Sequence, residues 1–408
     1  LCIVCTHPAE RKKQPGMKVT VRVIQIFVAV LFIISGLVKA NDPLGLSYKM
    51  QEFFELWGTG FGQGTFIKTA LQVMHKSSLA LSIGMITLEI LAGIALLIGW
   101  KKKAILWLLL LLIIFFTFLT GYAYLSGKFT NCGCFGDCLP ITPLTSFLKD
   151  ITLLAMIIFL IIGQRYIAPV FSAQTRTAIL MAAIVVSLGF QWYVLNYLPI
   201  ADCLPFKKGA NIPEQMKPPP GSVGDSTAMF YVYEKGGKKY EWAWNQLPAD
   251  YQTYKYVDRV DKVVRKGNAE PPIKGFSLSG SKRFDSTAGN FRNTDSTMIV
   301  LDQPLAVIGF GLDSVENIDW LKDLKVITAV ATLKKIPVYF ATNEREKFIK
   351  DFADNGISIQ VFATDFTVIR TAARTNPTFY ILEKGRVAKK YGYRQLDQLA
   401  GELKKISP

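Results

Sequence analysis

Histidine is almost missing from this chain: its 408 residues include two, His7 and His75. No cysteine follows Cys203, so the C-terminal half has neither thiol nor imidazole. That half therefore offers no cysteine nucleophile, no Cys–His zinc set and no histidine base. GxSxG, HExxH and a phosphate-cradling glycine loop are also lacking, which removes the common hydrolase and nucleotide-binding classes. The glycine-rich run 58–64 lacks the following Lys-Ser/Thr and reads as a flexible loop. Acidic residues are scarce as well, 31 against 47 Lys and Arg, for a formal charge of +16. No interleaved basic–aromatic motif accompanies that excess, so no nucleic-acid partner is expected. The excess fits membrane anchoring and attraction to anionic headgroups.

Apolar sequence is abundant. Half of the residues are hydrophobic and mean hydropathy is +0.26, too apolar for an ordinary soluble enzyme of this size. Five apolar segments stand out, at 21–40, 78–100, 104–125, 147–163 and 177–198. Most approach the roughly 20 apolar residues that cross a bilayer, and the fourth is the shortest. Lys18 and Arg22, the triple lysine 101–103, and Arg165 with Arg176 lie at alternate ends, which makes those ends cytoplasmic. The loop 41–76, the cysteine loop and everything after Leu198 then fall on the far side of an inner membrane, in the periplasm. An uncleaved first helix would act as the export signal. The stretch 1–17 reads as a cytoplasmic extension, with Met17 the expected natural start. Its lone CxxC, Cys2 and Cys5, falls short of the four ligands zinc needs.

Asn131-Cys132-Gly133-Cys134-Phe135-Gly136-Asp137-Cys138 puts three cysteines within seven residues, between two apolar segments. With Cys203, just past the fifth segment, four cysteines share the far side. An oxidising compartment suits such a set. Two readings stand side by side: Cys132 and Cys134 exchange, with Cys138 and Cys203 resolving them, or the cysteines are static staples, Cys138 with Cys203 for instance. A ring closed between Cys132 and Cys134 would be small and labile, which favours exchange. Closely spaced thiolates also suit Cu(I) or zinc, but no histidine lies in the loop and no metal is expected.

Glu89 sits in the second apolar segment, eleven residues from Trp100. That is roughly 16 Å at helical rise, near mid-membrane. Intramembrane acids are functional candidates by default. Glu89 would either protonate, pair with Lys39 or Lys149, or make a structural bond between helices. Lys149 and Asp150 read as orienting a helix end at the interface. Phe115, Phe116, Phe118, Tyr122 and Tyr124 would line a quinone cleft or, more simply, pack helices and form an interfacial belt.

The soluble part opens with a linker at 218–221 and a hairpin at 227–244, turning at Gly236-Gly237. The stretch 265–293 reads as polar and turn-rich. Beyond it, 298–310 reads as a buried strand, 315–331 as a helix, 337–341 as a strand and 344–355 as an amphipathic helix. Strands at 359–362, 378–382 and 387–391 and a helix at 395–405 complete a small α/β sandwich.

Three motifs carry a family resemblance. Ser35-Gly36-Leu37-Val38-Lys39 closes the first helix. Leu88-Glu89-Ile90-Leu91-Ala92-Gly93 lies in the second, which ends Leu97-Ile98-Gly99. The third is Cys132-Gly133-Cys134-Phe135-Gly136, followed by Lys149-Asp150. Together they make residues 18–164 resemble the MauE and DoxX membrane families, the former named for methylamine utilisation. That resemblance implies a four-helix membrane domain supporting disulfide formation or electron transfer for periplasmic partners; segment 165–198 adds a fifth helix.

The tail, 297–408, resembles a thioredoxin fold. Arg374-Thr375-Asn376-Pro377-Thr378 stands before a strand, where thioredoxins keep a cis-proline, so Pro377 is the cis candidate. In place of CxxC the chain reads Gly311-Leu312-Asp313-Ser314. The expected fold is thus a membrane all-α bundle of about five helices, a linker and hairpin region at 199–296, and an α/β thioredoxin-like domain without redox cysteines. The whole resembles the two-part proteins of Bacteroidetes that join a DoxX-type bundle to such a domain. Two functions follow: a thiol–disulfide oxidoreductase at the membrane surface, or a non-catalytic scaffold docking an envelope partner through its tail.

Overall fold

The computed structural model describes residues 15–62, 64–126, 136, 138, 141–265, 267–285, 290–312 and 319–406, with side chains undescribed at 15 and 281–293. The chain divides into two compact units. The first is Leu1–Leu204 with Ala373–Thr378 and Tyr391–Glu402; the second is Pro205–Ala372 with Phe379–Lys390 and Leu403–Pro408.

The first unit is an α bundle. In chain order it contains α1 (Pro15–Ala40), α2 (Pro43–Gly58), α3 (Phe66–Lys76), α4 (Ser78–Ile98), α5 (Lys102–Ser126), α6 (Pro143–Ile162) and α7 (Ala173–Tyr197). Five of these, α1, α4, α5, α6 and α7, are long and apolar enough to cross a membrane. Each of four helix starts is set by a short polar side chain that accepts from a backbone N–H one turn in, as N-caps do. Asp42 caps α2, Thr65 caps α3, Thr142 caps α6 and Ser172 caps α7. Pro43 and Pro143 occupy first-turn positions, where a missing N–H costs nothing.

The loop expected over 41–76 is helical instead. Its apolar residues Phe53 and Phe54 are buried, while α3 buries none of its residues and leaves Phe66, Ile67 and Val73 exposed. The segment is too polar for the hydropathy of a span, so only its helical period marked it.

Packing joins α1 to α4, α5 to α6 and α7 to α4. Close approach of α1 and α4 depends on glycine: a Cβ on Gly93 would lie 2.8 Å from the Ala29 carbonyl oxygen, and one on Gly36 would lie 2.5 Å from Ile90 Cγ1. Small residues at crossings are how membrane helices gain dispersion contacts without a hydrophobic drive between them. Val28, Ala29, Phe32, Leu96, Leu109, Ile157 and Leu160 form the buried centre. Polar side chains add directed bonds inside it. Gln25 Nε2 donates to the Leu96 carbonyl at 2.6 Å, and Gln191 Nε2 donates to Thr87 Oγ1 at 3.0 Å.

The second unit is α/β. After the short α8 (Ile212–Gln215), strands β1 (Ser226–Lys235), β2 (Lys238–Ala243) and β3 (Lys255–Arg265) form an antiparallel sheet in the order β2-β1-β3. Tyr233 pairs with Tyr240 and Tyr231 with Trp242, so the expected hairpin is present. Then come β4 (Ser279–Asp285), β5 (Asn290–Asp295), α9 (Thr297–Leu301), β6 (Ala306–Gly311), α10 (Trp320–Leu333), β7 (Val338–Thr342), α11 (Arg345–Asp354), β8 (Gln360–Ala363), α12 (Phe366–Ala372), β9 (Thr378–Glu383), β10 (Arg386–Gly392) and α13 (Leu396–Lys405).

Two expectations are corrected. Residues 265–293 include the strand pair β4–β5, and 298–310 is a helix followed by a strand. The single buried strand was misread because α9 and β6 are both apolar and adjoin. The start of the helix expected from 315 falls outside the described residues.

The larger sheet runs β10-β9-β6-β7-β8-β4-β5, with β6, β7 and β8 mutually parallel. Every residue of β6 is buried, as in a central strand covered on both faces. The order β10-β9-β6-β7 with a cis Asn376–Pro377 bond ahead of β9 is a thioredoxin-like core.

Candidate functional site

Lys39 lies in the last turn of α1 and Glu89 midway along α4, and the glycine crossing brings them together. Lys39 Nζ is 2.7 Å from Glu89 Oε2 and 2.9 Å from Oε1, with each side chain 3% exposed. A third donation goes to Ser35 Oγ at 3.1 Å, and Phe116 presents its ring 4.8 Å from the ammonium. Two buried charges this close are tolerable only as a pair, because each alone would keep its full desolvation cost. Of the partners considered for Glu89, the structure shows Lys39.

Asp150 is buried within the bundle, 1% exposed, and its Oδ2 accepts from Thr120 Oγ1 at 3.1 Å. Its Oδ1 lies 2.8 Å from Lys149 Nζ, an ion-pair contact outside hydrogen-bond geometry. The residue faces inward on α6, toward α5, a direction that the adjacent Lys149 obscured in the sequence. Both ion pairs line one small cavity of ≈ 20 Å³, bounded by Leu31, Phe32 and Leu153. Such a volume holds about one water.

A larger cavity of ≈ 350 Å³ adjoins this site and shares Lys39 and Phe116 with it. Phe53, Trp57, Phe115 and Leu88 supply apolar wall, and Lys49 sits at the edge with Glu52 2.9 Å away. Of the aromatic cluster, Phe115 and Phe116 reach this cavity; Phe118 and Tyr122 pack on Trp57, and Tyr124 stacks on Phe147.

Cys138 and Cys203 form a disulfide across 65 residues of sequence. Cys203 is held by its neighbours: Asn41 Nδ2 donates to the Ala201 carbonyl at 2.8 Å and Ala201 N donates to Asn41 Oδ1 at 3.0 Å. This two-way amide pair fixes the segment after α7 to the end of α1. Cys203 is exposed, so an attacking thiolate can reach the bond. Cys132 and Cys134, and the 313–314 part of the Gly311–Ser314 stretch, lie outside the described residues, as do Cys2, Cys5 and His7.

Sequence reasoning missed Asn41, Thr120 and Gln191. Each is an ordinary polar residue by type, and only the intramembrane placement of Thr120 and Gln191 gave a signal.

Residues 17–163 match the family model for methylamine utilisation protein MauE. Residues 227–266, the three-stranded sheet, match a domain of unknown function (DUF8463). Protein TlpB of Flavobacterium psychrophilum is 29% identical over 138 residues, covering 34% of this chain and 35% of that relative. This chain thus spans about a third of that relative's length, 35%. No solved structure matches. Residues 17–163, which hold both buried ion pairs and run from α1 to the end of α6, are thus similar to the MauE family.

Proposed function

We propose that this multi-pass membrane protein exchanges thiols and disulfides at the periplasmic face of an inner membrane, for soluble partners of that compartment. The observation that carries the reading is the Cys138–Cys203 disulfide, exposed at Cys203 and half-buried at Cys138, whose Cys138 shares a short connection with Cys132 and Cys134. Attack of a Cys134 thiolate on Cys138 would break the existing S–S bond, release the Cys203 thiolate and form a new S–S bond. A second attack, by Cys132 on Cys134, would release Cys138. The disulfide moves from one pair to the other and two protons move the opposite way, with no net oxidation. The arrangement of basic residues at alternate helix ends supports the orientation. The tail, lacking cysteine, recruits the partner rather than reacting with it.

A second reading rests on the same bond. As a static staple it would make the bundle a scaffold that presents the tail to an envelope assembly.

Redox titration of the purified full chain, with alkylation and mass mapping of Cys132, Cys134, Cys138 and Cys203, separates the two. One pair reducing reversibly well above about −300 mV supports exchange. All four staying oxidised until the protein unfolds overturns exchange and leaves the scaffold.

A further inference from the structure

The ≈ 350 Å³ cavity beside the Lys39–Glu89 pair has a defined chemistry. Its walls are aliphatic and aromatic, with Phe53, Trp57, Phe115 and Phe116 offering flat faces. Both cations that reach it already hold a carboxylate: Lys39 holds Glu89 and Lys49 holds Glu52. An anionic headgroup would therefore meet a site with no net positive charge. A neutral ring carrying hydrogen-bond acceptors fits better. Lys39 spends one donation on the uncharged Ser35 hydroxyl, the weakest of its bonds, and that donor can turn to a ligand carbonyl. Size agrees too, since pockets of ≈ 300–1,000 Å³ hold ring-sized ligands.

We propose that this cavity binds a membrane quinone. The planar ring lies among the aromatic side chains, one carbonyl accepts from Lys39, and the apolar tail leaves through the aliphatic wall. The inference names the electron acceptor of the exchange reading. It rests on that reading for the source of electrons, though not for binding. A cysteine dithiol gives up two electrons and two protons as its S–S bond forms. The quinone takes up both electrons and both protons as it becomes the quinol, so the step balances without another reactant. Negative charge appearing on the ring oxygen during reduction develops beside the Lys39 ammonium.

Gly84 supplies the test. It lines the cavity, and a Cβ added there meets nothing within 4 Å, so the side chain of Gly84→Leu starts into open space at the cavity wall. Full-length protein with every cysteine alkylated is placed in zwitterionic nanodiscs and titrated with a naphthoquinone bearing one isoprenyl unit. Quenching of tryptophan fluorescence is the readout. Expected results are saturable quenching that is largely lost in Trp57→Phe, and binding weakened at least tenfold by Gly84→Leu at an undiminished melting temperature. Ala80→Phe, on the same wall, serves if the first variant does not fold. Absent saturation, unchanged affinity in both filled variants, or equal displacement by a saturated fatty acid would overturn the inference. The last outcome would mark a lipid acyl cavity. If alkylated protein binds the quinone but the free dithiol never reduces it, the binding site stands and the quinone is not the electron acceptor, while the exchange reading is decided by its own redox titration.

Discussion

Arg374 Nε donates to Asp42 Oδ2 at 2.7 Å, although 332 residues separate them in sequence. Both belong to the first compact unit, and their side chains are 5% and 13% exposed. The same carboxylate caps α2, its Oδ1 accepting from Gly45 N at 3.0 Å. Asp42→Ala removes both interactions, and breaking a buried pair costs about 3–5 kcal/mol. Asp42→Asn keeps the cap, worth about 1 kcal/mol, and loses only the charge. Thermal unfolding in detergent should therefore rank wild type above Asp42→Asn above Asp42→Ala. Equal melting of the two variants would show that the cap contributes nothing.

The Lys39–Glu89 pair predicts a non-additive cycle. Lys39→Met or Glu89→Leu alone strands a buried charge, at about 3–5 kcal/mol each. The double variant leaves an apolar contact and should recover most of that loss. If the double falls by the sum of the singles, the two side chains are not coupled.

Gly93 sets the distance between α1 and α4. Even Gly93→Ala places a methyl 2.8 Å from the Ala29 carbonyl oxygen, where backbone must shift. Overpacking of this kind costs about 1–3 kcal/mol. Gly93→Val should cost more, and it should also weaken the Lys39–Glu89 contact one helical turn away. By contrast, Gly84→Ala meets open space and should raise stability by up to about 1 kcal/mol through helix propensity.

Removing the disulfide gives a fourth test. For a closed loop of 65 residues, chain entropy alone corresponds to about 4 kcal/mol. Helices already inserted in a membrane have less freedom to lose, so Cys203→Ser should lower stability by less than that. Its melting temperature should respond less to added dithiol than that of wild type.

Sequence reasoning located all five apolar helices because hydropathy over some twenty residues is a strong, local signal. It also found β7, β8, β9, β10 and the hairpin, where alternation and turn glycines coincide. Missed were α2 and α3, whose mixed polarity hides a helix from a hydropathy scan. Burial of Asp150 against Thr120 was equally hidden, since Lys149 and Asp150 read together as orienting a helix end. Glu89 was conspicuous as a charge in an apolar run, but its partner was ambiguous: both Lys39 and Lys149 line the cavity that it reaches. Only the glycine crossing, a three-dimensional fact, decides between them.

Two candidate spans, α6 and α7, separate Cys138 from Cys203, and that number is even. A chain that crosses a bilayer twice returns to the face it left; one that crosses once does not. The bond can therefore close only when both helices have inserted or neither has. Parity ties α6 and α7 to a common fate: a molecule in which α6 crossed and α7 failed to would keep Cys203 on the opposite face from Cys138, as a free thiol.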